Sequence, residues 1–161
     1  MGGPNMTKTN AIRLVEQAGI FHRCTEYDYD EQDLSGTHAA EAIGMPPEQG
    51  FKTLVARGEK RGILVFCIPV CCALDLKKAA KAVGDKKIEM VHMKELLSLT
   101  GYIRGGCSPI GMKKAYPTFI DETAQLYEEV AVSAGIRGQQ LILAPDDLIS
   151  YADMTVCDLT E

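Results

Sequence analysis

Several features that would announce a function are missing from this chain, and each absence narrows the field. No run of about 18 or more apolar residues is present, so no segment is long enough to cross a membrane as a helix. None of the six cysteines (Cys24, Cys67, Cys71, Cys72, Cys107, Cys157) forms a C-x-x-C pair, and no H-E-x-x-H occurs, so the common zinc and redox signatures are missing. Histidine is scarce, with three residues at His22, His38 and His92, none of them close in sequence to a candidate nucleophile. Positive charge is not in excess either. A net charge of −5 argues against a protein that holds nucleic acid tightly by itself, because phosphate contacts need Lys and Arg. The stretch Met1–Met6 lacks the charged and apolar regions of a signal peptide. The expectation is a cytosolic protein whose first six residues, 1–6, lie outside the ordered part.

What is present suits one globular domain over 1–161. The chain has 161 residues, 46% of them hydrophobic, enough to bury a core without disulfide staples. Most cysteines then read as reduced, semi-buried small hydrophobes. Cys67, Cys71 and Cys72 gather around Pro69 in an apolar run, where a core strand is the simple explanation and a zinc site the alternative. No metal and no cofactor are expected. The average charge hides an asymmetry. Between Lys77 and Lys114 nine basic residues stand against three acids, a net of +6, and the rest of the chain holds eight basic and nineteen acidic residues, a net of −11. A basic middle in an acidic protein suggests a localised anion-binding face, although a solvated helix face gives the same count.

Local patterns predict the elements. Thr9 or Asn10 caps a helix with Ala11, Leu14, Val15 and Ala18 at helical spacing, and Gly19 stops it. Ile20 to Tyr29 reads as extended, and Thr37 to Ile43 as a short helix closed by Gly44 and Pro46-Pro47. Phe51–Ala56 and Ile63–Ile68 form a hairpin across Gly58–Gly62, the second strand unbroken in its apolar character and so central. Asp75 caps a helix over Leu76–Val83, and Gly84 ends it. A strand at Lys87–Val91, a helix at Lys94–Leu99 stopped by Gly101, strands at Pro117–Ile120, Glu129–Ser133 and Gln140–Leu143, and a helix from Pro145 to about Ala152 complete the set. Together they predict an α+β fold, a mixed and largely antiparallel sheet with helices packed outside it.

Chemistry concentrates at a few positions. In Gly105-Gly106-Cys107-Ser108-Pro109-Ile110-Gly111, the glycines allow a ligand to approach the main chain and Pro109 stiffens the loop, so backbone N–H groups can face a phosphate or a carbonyl oxygen. A plain turn is the alternative. Ser133-Ala134-Gly135-Ile136-Arg137-Gly138 has the same look, with a strand connection as the alternative. Lys52 sits in a strand beside Phe51, Leu54 and Val55. A buried lysine there needs an anionic partner, whereas an edge lysine needs nothing. Thr53, on the opposite face, is either strand filler or a hydroxyl contact. Ser108 and Cys107 are nucleophile types with no visible activating base.

The ordered set Phe51-Lys52-Thr53-Leu54, Leu74-Asp75-Leu76-Lys77-Lys78-Ala79-Ala80-Lys81-Ala82, Lys86-Lys87-Ile88-Glu89-Met90, Thr100-Gly101-Tyr102, Gly105 through Gly111 with Lys113-Lys114, and Pro117 through Ile120-Asp121 resembles the YbaK/EbsC family of aminoacyl-tRNA editing domains. The likeness runs from about Thr9 to Asp158 and favours the cysteinyl-tRNA(Pro) deacylase branch. The resemblance implies a mixed sheet curled into a partly open barrel, and hydrolysis of the ester between a wrong amino acid and the 3′-terminal adenosine of tRNA, with prolyl-tRNA synthetase as a partner. By the same resemblance, Lys52, Gly105 and Gly106 take catalytic roles, and Tyr27, Thr53, Ser108, Pro109, Ser133 and Gly135 contact substrate. It also implies that the substrate's cysteine thiol, rather than a protein nucleophile, attacks the carbonyl. One departure stands out: Gln139 and Gln140 follow Arg137-Gly138 where the branch carries an acid. Removal of alanine or serine, a tRNA- or nucleotide-binding module without turnover, and a hydrolase using Cys107 or Ser108 are the alternatives.

Overall fold

In chain order the computed structural model, which describes residues 7–161, runs α1 (Asn10–Gln17), β1 (His22–Glu26), α2 (Gly36–Ala42), β2 (Phe51–Gly58), β3 (Gly62–Pro69), α3 (Leu76–Val83), β4 (Ile88–Met90), α4 (Met93–Thr100), β5 (Thr118–Asp121), β6 (Val130–Ser133), β7 (Gln139–Leu143), α5 (Pro145–Tyr151) and β8 (Met154–Cys157). Short 3-10 turns lie at Pro47–Gln49 and Glu122–Leu126. The expectation for residues 1–6 falls outside the described residues.

Capping chemistry explains most helix ends. Thr9 accepts the Ile12 N–H at the start of α1 and donates to Ala134 O at 2.6 Å, tying that helix to the turn after β6. Asp75 accepts from the N–H groups of Lys77 and Lys78, and Gly84 closes α3 in the left-handed conformation. Helix α2 begins one residue before the sequence expectation, at Gly36, because the side chain of Ser35 is the cap.

The strands form two sheets. One is antiparallel, in the order β1-β7-β6; the other is mixed, in the order β4-β2-β3-β5-β8, with β3-β5 and β5-β8 parallel. A parallel bridge between Gly50 and Ala131 links the two sheets. The antiparallel hairpin runs in register from Phe51 opposite Pro69 to Gly58 opposite Gly62, as the turn chemistry predicts. Strand β8 was not anticipated: it is four residues long and follows Asp153, a non-glycine residue at φ +51°.

Both faces of β3 are covered. Cys67, with Phe51 of β2, joins the core built on α1, β6, β7 and α5, while Leu64, Phe66 and Ile68 join a second core under α3. This two-sided burial accounts for the unbroken apolar run in the sequence. The second core is closed by the C-terminal tail, where fully buried Leu159 donates its N–H to Asp121 Oδ1 at 2.9 Å. Asp121 Oδ2 accepts from Thr123 N and from Thr123 Oγ1, so a buried carboxylate holds three donors.

Strand β2 positions the site. One edge pairs with β3 along its whole length, but the other is shared between two strands. Gly50, just before β2, bridges β6, and Ala56–Gly58 pair with β4; among the described residues no strand ladder is formed on this edge at Lys52–Leu54 between them.

Replacing Asp121 by Ala strands these donors and is expected to cost about 3 kcal/mol, lowering Tm by roughly 6–12 °C. Asp121→Asn keeps one acceptor oxygen and is expected to lose less. Thermal unfolding followed by circular dichroism checks both; an unchanged Tm for Asp121→Ala contradicts the clamp.

Candidate active site

A cavity of about 550 Å³ opens at the gap in the edge of β2. Lys52, Thr53, Leu54 and Val55 form one wall, and the small residues Gly36, Ala39 and Ala40 bring α2 over it. A Cβ at Gly36 would collide with the Val70 side chain, so glycine is what lets α2 settle this close to β3. His92, Met93 and Leu96 enclose the cavity from the β4–α4 corner; Tyr27, Ser133 and Gln140 line it from the other sheet, and Arg104, Gly105 and Cys107 from the glycine loop. The lining contains no carboxylate. Its cationic side chains are Lys52 and Arg104.

Alternation along β2 decides what each residue presents. Val70 N donates to Gly50 O across the hairpin, and Val91 N donates to Val55 O on the opposite edge. Even-numbered residues of β2 therefore bond β3, while odd-numbered ones face the open side, so Thr53 turns its own N–H and C=O into the gap. Its hydroxyl lies 3.8 Å from Cys67 Sγ, toward the first core. The sequence singled out Thr53 for its side chain; the backbone is what meets the cavity. Lys52, on the same face as Leu54 and Ile68, is half-buried and makes no ion pair among the described residues.

The two glycine turns pack as one unit. Arg137 Nε donates to Arg104 O at 2.9 Å, and a Cβ at Gly106 would lie 3.1 Å from the Ile136 backbone and 3.2 Å from Arg137 N. Gly105 lines the cavity, but Gly106 does not, and the Gly106 N–H already donates to Ile103 O at 3.0 Å. Gly106 is therefore a packing residue, and it does not offer the oxyanion donor expected of it. Gly135 is also placed behind the wall. Its φ is +110° and its N–H donates to Ser133 Oγ, so it shapes the turn that presents Ser133 to the cavity.

Ser108 and Pro109 lie deeper in the same loop. Both are buried and neither lines the cavity; Ser108 Oγ accepts the Ile110 N–H at 3.2 Å, drawing the loop inward over fully buried Ile110. Tyr27 does face the cavity. Its N–H donates to Gly138 O, its ring meets His38 edge to face at 6.4 Å, and burial raises the phenol above its usual pKa, so it remains a donor at neutral pH. Burial likewise pushes the Cys107 thiol up to about 11, which keeps it protonated. The two glutamines part company. Gln139 is buried and donates to Thr7 O at 2.8 Å, whereas Gln140 lines the cavity as a neutral amide.

Sequence reasoning missed His92, Met93, Leu96 and Arg104, which only tertiary packing brings to the wall. Gly36, beside the capping Ser35, carried a readable sign of close approach.

Residues 34–151 match the model of the aminoacyl-tRNA editing domain. The chain is 49% identical over 153 residues to EbsC of Enterococcus faecalis, named as a proposed Cys-tRNA(Pro)/Cys-tRNA(Cys) deacylase, covering 95% of this chain and 93% of that one. A solved structure described as a proposed trans-editing enzyme for prolyl-tRNA synthetase superposes with a TM-score of 0.80 at 28% identity, covering 96% of this chain and 99% of the other. A second solved structure, of a hypothetical protein at 20% identity, shares the fold with a TM-score of 0.83 over 92% of this chain and 97% of its own. A cavity set on the split edge of β2, inside a domain matched across nearly its whole length, places the chain in the aminoacyl-tRNA editing domain family.

Proposed function

We propose that this chain is a cytoplasmic deacylase that removes cysteine from mischarged tRNA(Pro), working beside prolyl-tRNA synthetase. The names of the Enterococcus relative and of the trans-editing structure support the substrate and the partner. The observation that carries the mechanism is the composition of the cavity wall. It offers two cations, Lys52 and Arg104, one imidazole, His92, and backbone groups of the β2 edge, but no carboxylate and no ionised thiol among the described residues.

Such a wall suits a reaction whose nucleophile comes with the substrate. The cysteinyl thiol attacks its own ester carbonyl, the new S–C bond replaces the C–O bond to the ribose, and the thiol proton passes to the leaving 3′ oxygen. Free tRNA and a cyclic thioester result, and water then opens the thioester to cysteine. Intramolecular attack already enjoys a large effective concentration, so the protein need only hold the near-attack geometry. Lys52 binds the terminal phosphate. The N–H groups of Thr53, which points away from β3, and of Gly105, which lines the cavity, steady the developing oxyanion. Tyr27, protonated, donates to the ribose, and Ser133 and Gln140 bound the amino-acid end.

Deacylation assays with Cys-, Ala-, Ser- and Pro-tRNA(Pro), with and without the synthetase, test the assignment. Cysteine is expected to be removed fastest; faster removal of alanine or serine overturns it. Lys52→Ala is expected to lower kcat/KM roughly 10- to 100-fold, the range of one charge-assisted contact.

Cys107 provides a second check. With its thiol at about 11, the thiolate fraction at pH 7.5 is on the order of 10⁻⁴ to 10⁻³. Iodoacetamide at that pH is expected to label exposed Cys71 well before Cys107, and Cys107→Ser is expected to keep most of the activity. A folded but inactive Cys107→Ser enzyme would sink the substrate-thiol mechanism.

A further inference from the structure

The basic stretch seen in the sequence divides into two parts in the fold. On α3, Lys78 pairs with Asp158 at 3.1 Å, and just before β4 Lys87 pairs with Glu89 at 3.0 Å; no residue of α3 lines the cavity. Lys94, Arg104, Lys113 and Lys114, like Lys77, Lys81 and Lys86, make no ion pair among the described residues; what sets them apart is their place. Arg104 lines the cavity, and Lys94 follows Met93, which lines it too. The Lys113 chain lies along Gly101 at the end of α4, where a Cβ would sit 3.3 Å from Lys113 Cγ, and its N–H donates to Thr100 O. The one acid of α4, Glu95, is held by Arg57 at 2.7 Å.

Helical spacing puts Met93, Leu97 and Gly101 in one row along α4. Met93, which lines the cavity, is 63% exposed, and Leu97, one turn further along α4, is 54% exposed. The segment that brings Tyr27 and Leu34 to the cavity has the reverse charge, with Glu26, Asp28, Asp30, Glu31 and Asp33 and no basic residue between positions 26 and 33. A polyanion is repelled by that segment and attracted by the basic residues.

We propose that the single-stranded 3′ end of the tRNA reaches the cavity along α4, with its phosphates on Lys94, Lys113 and Arg104 and its bases against Met93 and Leu97. A row of cations that tracks the phosphate backbone is one part of sequence-tolerant single-strand binding, and here aliphatic Met93 and Leu97 take the place of its usual aromatic platforms. The inference rests on the deacylase reading and adds the direction of approach: across these basic residues, away from residues 26–33.

Fluorescence anisotropy with an uncharged RNA hairpin bearing a single-stranded 3′ overhang tests it. The double variant Lys94→Glu/Lys113→Glu is expected to weaken binding by about tenfold or more, and to lower the slope of log affinity against log salt by about 1.4. The same charge change on α3, Lys77→Glu/Lys81→Glu, is expected to leave affinity within about twofold. With charged tRNA, the α4 variant is expected to raise KM while kcat holds. Equal losses from the two double variants, indifference to the overhang, or tighter binding of an acidic peptide than of the RNA overturns the proposal. The two readings fail separately. A wild-type chain that binds through α4 but cleaves no aminoacyl ester refutes deacylation alone, while an active wild type indifferent to the α4 charges refutes this route alone.

Discussion

The unpaired stretch on the outer edge of β2 is the constraint on which the rest of the site depends. An open strand edge is ordinarily a hazard, a row of unsatisfied N–H and C=O groups inviting another chain to pair. Here β6 covers its beginning through the Gly50–Ala131 bridge, β4 covers its end, and α2 and the β4–α4 corner close over the interval. Because the cavity follows the edge rather than one face, residues from both faces of the strand line it. Lys52 and the main chain of Thr53 meet the same space. A register slip of one residue would exchange these roles and turn Thr53's free groups toward β3.

Much of the scaffold was legible in the sequence because its signals are local. Asp75 and Gly84 bound α3, Gly58 and Gly62 bound the hairpin turn, and the apolar run of β3 is explained by the cores on its two faces. The site was less so. Lys52, Thr53, Tyr27, Gly105 and Ser133 do meet at the cavity, yet Ser108, Pro109, Gly106 and Gly135 lie behind it, supporting the loops that form the wall. A loop motif states that the backbone is constrained, without telling which of its residues face a ligand and which hold the turn. The β4–α4 corner was invisible for a different reason: His92 and Met93 are about forty residues from Lys52, and nothing short of packing joins them.

The charge pattern shows the same division. A basic segment in sequence becomes two surfaces, one on and beyond α3, away from the cavity, where Lys78 and Lys87 find acid partners, the other beside the cavity, where Arg104 lines the wall. The overall −5 then stops being an objection to an RNA substrate, since five of the acids lie in the segment from Glu26 to Asp33. Within the cavity, the lack of carboxylates and the protonated Cys107 leave the protein to bind, orient and stabilise charge. That division of labour suits chemistry begun by the substrate's own thiol.

The most direct test of the central claim is a crystal structure with 3′-cysteinylamino-adenosine, in which an amide replaces the labile ester. The account predicts the cysteinyl carbonyl oxygen within hydrogen-bond distance of Thr53 N–H in the gap between β6 and β4, with Lys52 Nζ toward the 5′ side of the adenosine. A ligand seated away from the β2 edge, or a carbonyl held only by side chains, would contradict it.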